Sequence, residues 1–548
     1  MPPFARFGLR FPHRIRGLVL LVALVGLLIT AATFALLGRG AAASKPAESS
    51  WVRLGKDQRL VYRKDERGNR ILDFSHAGYG GGGVALPRVK TARKLGPAPG
   101  DDTARIQAAI DAVSALGPDA QGFRGAVELG PGTYELEQSL SIAASGVVLR
   151  AGGSGARGTV LQMRGRPHRL LSIRGAGSRE TEGEPVPIVD AYLPSGATRF
   201  RVAAADAGRF EPGDTVLVRR PVTEAWIRLM KMDKLERNGK RQTWLEPGDF
   251  IDSERTIKTV KGATITLDVP LTDSFDARIL APARGTVQKI AFPGRIQKVG
   301  FEGFRVRATP EGEERREHRL LGINAAMDVW VRDIVVEGTR DGISIGSTAR
   351  RVTLERVHIH HRETEPHTGG ASPADIAISG TQVLLDRCRV RGTQVWPVVT
   401  QARVTGPIVV LNFEADEAGV SPHQRWATGL LVDGGVFHNN REQRPGVALG
   451  NRAHAGSGHG WSAGWSVAWN VKSRYLLVQQ PPGAANWAIG CAAKFATVLW
   501  DGSPLADPCL PSDKIESIGA SVEPRSLYLQ QLRERLGPQA VANIGYRP

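Results

Sequence analysis

The chain has 548 residues, 41% of them hydrophobic, with 64 glycines, few aromatics and a formal charge of +18. That is ample apolar material for a core, and the glycine content points to many tight turns rather than a helical bundle. Three cysteines, Cys388, Cys491 and Cys509, exclude a disulfide scaffold and a four-cysteine zinc site.

Residues 1–43 read as a targeting segment. Arg6, Arg10, Arg14 and Arg16 precede an uncharged run from Gly17 to Gly38, and Ala41 and Ala43 stand as small residues before a cut ahead of Ser44. The run is also long enough to span a bilayer, so a cleaved export signal and a retained anchor both stay open. Positive charge on the short leading side sends the rest of the chain across the membrane in either case. The expectation is an exported protein, periplasmic or extracellular, held at the inner membrane if the segment is kept. Residues 1–43 hold five arginines and no acid, so their removal leaves +13. A basic exported chain suits an acidic polysaccharide. The location and the lack of a recognised motif set nucleic acid aside.

A polar linker and lead-in fill 44–70. The next region, 71–186, opens with ILDFSHAGYGGGG and continues as GDDTARIQAAIDAVSAL, where Asp101 or Asp102 caps a predicted helix with Ile106, Ala109, Ile110 and Val113 on its apolar face. GAVELGPGTYELEQSLSIAASGVVLRAGG then alternates as short strands broken by Gly and Pro. A helix feeding short, evenly spaced strands predicts a capped solenoid.

Residues 187–293 break this rhythm. GATRFRVAAADAGRFEPGDTVLVRRP and RTIKTVKGATITLDVPL alternate like antiparallel strands, which predicts a small inserted β region carrying EAWIRLMKMDKLERNG as a loop or short helix. Such an insertion either overhangs a substrate groove or serves as a structural lid over a coil edge.

The solenoid returns at 294–506 as an internal repeat. Segments starting at Val299, Val329, Val352 and Val383 all place apolar residues at their first, third, sixth and eighth positions, and an imperfect copy starts at Leu430 with Gly435 at its sixth. The first four starts lie 30, 23 and 31 residues apart, about one coil of a parallel β-helix. Each coil needs neighbours to bury its inward face. Loop insertions make the spacings unequal, and His360–Pro373 is one of them. The tail, 507–548, ends in RSLYLQQLRERLG, an amphipathic helix expected to cap the last coil. Cys491 and Cys509 are placed to staple a C-terminal loop, and Cys388 falls in a strand pattern as a small buried side chain.

DDTARIQAAID followed by GAVELGPGTYEL resembles the opening of the pectate-lyase-like superfamily, and DFSHAGYGGGG resembles the lead-in of its bacterial members. The resemblance covers about residues 70–165. It implies an all-β fold, a right-handed parallel β-helix whose N-terminal helix caps the first coil. Families on this fold include lyases, hydrolases, epimerases and binders, so the chemistry is left to the site. No cofactor is expected; calcium enters by fold analogy alone, since the aspartate clusters of calcium-dependent pectate lyases are not clear here.

Two stretches concentrate the chemistry. NFEADEAGVSPHQRWATGLLVDGG supplies Glu414, Asp416, Glu417, His423, Arg425 and Trp426, with Asp433 inside a strand. GNRAHAGSGHGWSAGWSVAWN supplies Arg452, His454, His459, Trp461, Trp465 and Trp469 among five glycines. Elimination from a uronic-acid polymer needs a cation for the sugar carboxylate, a base for the proton beside it and an acid for the leaving oxygen. Arg425 or Arg452 suits the first role, because a guanidinium meets a carboxylate at two points. His423, His454 or His459 suits the second. Trp426, Trp461, Trp465 and Trp469 are candidate sugar-stacking rings, with a buried-core role as the alternative. Hydrolysis needs two carboxyl groups roughly 5 to 10 Å apart, for which Asp341, Asp375, Glu414 and Asp416 are candidates.

Polygalacturonases on this fold carry an Asn-Thr-Asp, an Asp-Asp and a Gly-His-Gly. Here only Gly458-His459-Gly460 fits, because Asp101-Asp102 belongs to the predicted cap. HIHHRETEPH, from His358 to His367, matches no zinc spacing, so no metal is assigned. The preferred expectation is an enzyme cleaving an acidic polysaccharide by β-elimination. A glycoside hydrolase and a noncatalytic glycan-binding protein of the cell envelope are the alternatives.

Overall fold

The computed structural model describes residues 47–547, apart from 156, 309–317, 362–373, 393–395, 417, 439–441, 500–501, 508 and 510–511. The targeting segment read at 1–43 lies outside the described residues. Among those described, no helix is long and apolar enough to cross a membrane.

The repeat starts pair with one another. Val299 lies opposite Val329, Val329 opposite Val352, Val352 opposite Val383, and Val383 opposite Ile408, all in parallel register. Ile408 pairs in turn with Leu430. This intermediate coil is a further copy of the repeat, with Ile408, Val410, Phe413 and Ala415 at the same spacing.

Each coil supplies up to three strands, and the strands stack into three parallel faces. Face A runs through Val147–Ala151, Ile296–Glu302, Thr381–Asp386, Thr405–Leu411, Ala427–Asp433 and Ser466–Trp469. Face B runs through Thr159–Met163, Phe304–Arg307, Arg389–Arg391, Glu414–Asp416 and Val436–His438. The long strands Ala326–Glu337 and Arg350–His360 contribute their first halves to A and their second halves to B. Face C takes Arg169–Arg174, Arg319–Asn324, Asp341–Ile345, Ala374–Ile378 and Trp396–Thr400, and continues through single pairings of Val398 with Val420 and Val420 with Val447. The fold is all-β, a right-handed parallel β-helix.

Alternation along the strands turns Val329, Val331, Ile334, Val336 and their counterparts inward, where all are essentially inaccessible and form one continuous core. The helix Thr103–Ser114 adds Ile106, Ala109, Ile110 and Val113 to that core and touches the first strands. Its first turn is held by Asp101, whose Oδ1 accepts from the Thr103 N–H at 2.9 Å.

Between the C strand Arg169–Arg174 and the A strand Ile296–Glu302 the chain leaves the helix and builds an antiparallel sheet. Thr215–Pro221 is its central strand, paired with both Phe250–Lys261 and Thr286–Ala291. The insertion has its own core around Phe200, Val216, Val218, Ile257 and Val287. It is tied to the coils by Arg255, fully buried, whose Nη2 donates to the Gly406 carbonyl at 2.9 Å.

Outward residues of face A are apolar in the later coils, and two chain ends cover them. Trp51, Leu72 and Phe74 from one end and Leu527, Tyr528 and Leu532 from the other pack on Leu384, Leu411, Leu431 and Trp469. The C-terminal helix Leu527–Leu536, expected as an end cap, therefore lies against the outside of face A. Cys491 and Cys509 are unpaired, contrary to the expected staple: Cys491 is sealed in the coil stack, where its Sγ donates to the Ala468 carbonyl at 3.4 Å.

Candidate functional site

His423 and Arg425 stand in the turn that returns the chain from face C to face A, between Val420 and the strand Ala427–Asp433. Residues 450–464 make the same turn one coil later, because Ala427 pairs with Ala463. Coil stacking thus joins the two stretches that the sequence singled out. The Arg425 N–H donates to the His459 carbonyl and the Trp426 N–H to the Trp461 carbonyl, both at 2.9 Å.

The side chains of this edge form a compact cluster. The His423 and His459 rings meet edge to face, and His423 Nδ1 lies 3.0 Å from Gln401 Oε1. Arg452 donates to the His423 carbonyl at 2.8 Å, with its guanidinium 4.7 Å from the centre of the Trp396 ring. Arg425 clamps the glycine-rich loop through Ser457 Oγ at 2.8 Å. His459 Nδ1 is buried with no hydrogen-bond partner. Burial, together with the cations Arg452 and Arg425, pushes His423 down to about 4 and His459 down to about 3. Both imidazoles are therefore neutral at physiological pH. Each is only 7% exposed. His454, the third candidate imidazole, is exposed on the same loop.

An arm of the insertion, residues 223–249, encloses the cluster. Trp244 Nε1 donates to the Trp461 carbonyl at 3.0 Å, Trp461 Nε1 to the Met230 carbonyl at 3.1 Å, and Arg237 to the Gly456 carbonyl at 2.9 Å. Glycine makes this approach possible. A Cβ on Gly460, whose φ is +54°, would fall 2.4 Å from Trp244 Cδ1.

The tryptophans correct the stacking expectation. Trp426, Trp461, Trp465 and Trp469 are each no more than 2% exposed. They pack in the apolar layer outside face A, and every indole N–H is satisfied: Trp426 and Trp465 donate to the two oxygens of Asp273, Trp461 to Met230 and Trp469 to the Pro524 carbonyl. No ring face is left for a sugar.

The carboxylates are elsewhere. Glu414 and Asp416 point outward on face B, where Glu414 accepts from Arg389 at 2.7 Å and lies 2.9 Å from His438 Nε2. They do not join His423. Glu417 and His367 lie outside the described residues. Asp341 pairs with Arg319 at 3.0 Å, while Asp375 is fully buried against His361 at 2.7 Å. Gly342, not Asp341, stands opposite Asp375, so these two acids do not face each other. His358 and His360 lie opposite Arg389 and Arg391, and no group of three or more His, Cys, Asp or Glu is placed for a metal among the described residues.

A cleft that no sequence pattern marks lies farther along the same edge. Ser347, Ser379, Thr381 and Arg403 of successive C-to-A turns face Asp249, Phe250 and Asp252 of the insertion across ≈ 440 Å³, a volume within the range of ligand sites. Phe250 is 43% exposed, with the Arg219 guanidinium 5.0 Å over its ring. Arg403 pairs with Asp249 at 2.7 Å, and its N–H donates to the Arg425 carbonyl at 2.9 Å, so the cleft ends at the cluster. Beneath it Glu254 is buried, which alone would raise its carboxyl, yet Arg295, Arg350 and Arg179 hold it down at about 2.

No family model matches this chain, and no curated protein matches it. Similar solved structures include the Gp54 tailspike of Acinetobacter baumannii bacteriophage AP22 in complex with capsular saccharide, at 10% identity and TM-score 0.31 over 73% of this chain and 70% of that one. A mutant tailspike of E. coli bacteriophage HK620 in complex with a pentasaccharide is similar at 10% identity and TM-score 0.37, over 85% and 64%. The A-module of the Azotobacter vinelandii mannuronan C-5 epimerase AlgE6 is similar at 13% identity and TM-score 0.32, over 79% and 100%. The parallel β-helix rests on the three parallel ladders of this chain itself.

Proposed function

We propose that this chain is an exported carbohydrate-acting β-helix protein that holds an acidic polysaccharide along the edge between faces C and A and cleaves it by β-elimination. One observation carries the reading: His423, Arg425, Arg452 and His459 converge at the end of a polar cleft that carries an exposed aromatic ring. Phe250 supplies the ring against which a sugar stacks. Arg425, beside the cleft, pairs with a uronate carboxylate. An imidazole takes the proton next to that carboxylate, the freed electron pair forms the ring double bond, the bond to the leaving oxygen breaks, and the imidazolium returns its proton to that oxygen.

A ring held at about 3 or 4 is a weak base, but a uronate carboxylate arriving between two guanidiniums adds negative charge beside it and raises its proton affinity. The enclosed rings require the arm to lift before substrate reaches them. A second reading, glycoside hydrolysis, is favoured by Glu414 and Asp416, two carboxylates that share the outward side of one strand.

Incubation with a panel of uronate polymers separates the readings. Unsaturated ends mark elimination, new saturated reducing ends mark hydrolysis, and retention without cleavage marks a binder. His423→Ala and His459→Ala should each lose the unsaturated product while remaining folded. Full rate in both variants removes the cluster from the chemistry.

A further inference from the structure

Face B presents a different surface. Its outward positions line up from coil to coil: Glu337 opposite His360, His360 opposite Arg391, and Asp416 opposite His438. Neighbouring strands are about 4.8 Å apart, so a polymer crossing the coils meets a polar group at every rung. The surface opens into a trough of ≈ 590 Å³ between His360, Arg391, Glu414, Asp416 and His438.

The arginines of this face are engaged with acids, save one. Arg307 pairs with Glu337 at 3.1 Å, Arg389 with Glu414 at 2.7 Å, and Arg305 and Arg474 with Glu337 and Glu442. Arg391 is exposed and makes no ion pair or side-chain hydrogen bond among the described residues. A guanidinium with open donors beside a carboxylate and two imidazoles is arranged to take an anion and to bond the hydroxyls around it.

We propose that this trough is a second glycan-binding site, separate from the cleft beneath the insertion, in which Arg391 takes the carboxylate of a uronate unit while Asp416 and His438 bond its hydroxyls. It rests on the elimination reading only for the acidic polymer and shares no residue with that site. The two sites lie on different faces of the coil, so one chain can hold a polymer at a point remote from the cleft.

The test is a binding titration of the full chain with short oligomers of polygalacturonate and of alginate, against a neutral glucan oligomer as control. Wild type should show two classes of site for a uronate oligomer and none for the glucan. Arg391→Ala breaks no ion pair and should fold as wild type does. It should weaken one class roughly ten- to hundredfold, the worth of a charged hydrogen-bonded contact, with Arg391→Lys intermediate. Phe250→Ala should weaken the other class alone. If Arg391→Ala leaves both classes intact, or wild type shows a single class that Phe250→Ala removes, or no uronate oligomer binds, the second site does not exist. If Arg391→Ala weakens binding while Phe250→Ala changes nothing, the trough stands and the cleft reading falls.

Discussion

The imidazoles of His423 and His459 lie with their centroids 4.7 Å apart and their planes at 84°, each almost closed off from water. Burial keeps both below the usual histidine value of 6.5, at about 4 and about 3. Between those values and 6.5 the unfolded chain binds protons that the folded chain refuses. The contribution of this pair is therefore at its plateau above about pH 6.5 and falls as pH drops towards 4. Thermal unfolding followed from neutral to mildly acidic pH should show this decline, and His459→Gln should flatten it. An unchanged slope in that variant would place the titration elsewhere.

The same pair governs activity. If an imidazole of the cluster is the base for elimination, the acidic limb of kcat/KM must reflect the free enzyme's depressed value near 4. A limb near 6.5 would instead remove His423 and His459 from the role of base.

The buried indoles and the exposed phenyl ring invite opposite outcomes. Trp426→Ala and Trp469→Ala remove large side chains that are no more than 1% exposed and should each cost about 3–5 kcal/mol of stability. Phe250→Ala removes a ring that is 43% exposed and should leave stability within about 0.5 kcal/mol while weakening glycan binding. Urea unfolding and oligosaccharide titration on the same preparations separate the two effects. Loss of binding in a stable Trp426 variant would restore the stacking role.

The difference between these rings shows where the sequence was legible. Val299, Val329, Val352 and Val383 were readable as one column because an inward position admits only apolar residues, coil after coil. The coil at Ile408 obeys the same rule, with the acids Glu414 and Asp416 on either side of inward Ala415. His423 and His459 were legible as candidates, but their meeting follows from the stacking of successive turns. The spacing of Trp461, Trp465 and Trp469 could not reveal their fate, which depends on coverage by Phe74 and Leu527, far away in the chain. Phe250 and the cleft were invisible for the same reason: the insertion and the turn at Arg403 meet only after both have folded.

Asp433 offers a pH effect of the opposite sign. It is fully buried on the outer side of face A, where its Oδ2 accepts from the Tyr528 N–H at 2.8 Å and from Ser526 Oγ at 2.7 Å, joining the C-terminal helix to the coil. Burial raises its carboxyl to about 7. Between the ordinary value of 3.8 and about 7 the folded chain holds a proton that the unfolded chain has lost. This contribution is therefore complete in acid and fades as pH rises to about 7. Asp433→Asn keeps an acceptor for both donors and cannot ionise. It should raise stability at neutral pH relative to acidic pH when compared with wild type, and an unchanged difference between the two would exclude Asp433 as the titrating group.

Gly460 tests whether the arm is held where the cluster needs it. At φ +54° it occupies the left-handed region, and an added Cβ would meet Trp244 Cδ1 at 2.4 Å and Met232 Sδ at 2.6 Å. Neither atom has room to retreat, since Trp244 is 1% and Met232 4% exposed within the apolar layer that Trp461 shares. Gly460→Ala should therefore loosen the arm at a cost of about 1–3 kcal/mol. The hairpin of Glu236–Arg237 with Lys240–Arg241 stands exposed on that arm and offers trypsin its targets. Limited proteolysis there should be faster in the variant, while the coil strands, fixed by their ladders, should keep the protection of wild type. An unchanged cleavage rate at the hairpin would mean that the arm is held by its other contacts, such as Arg237 on the Gly456 carbonyl.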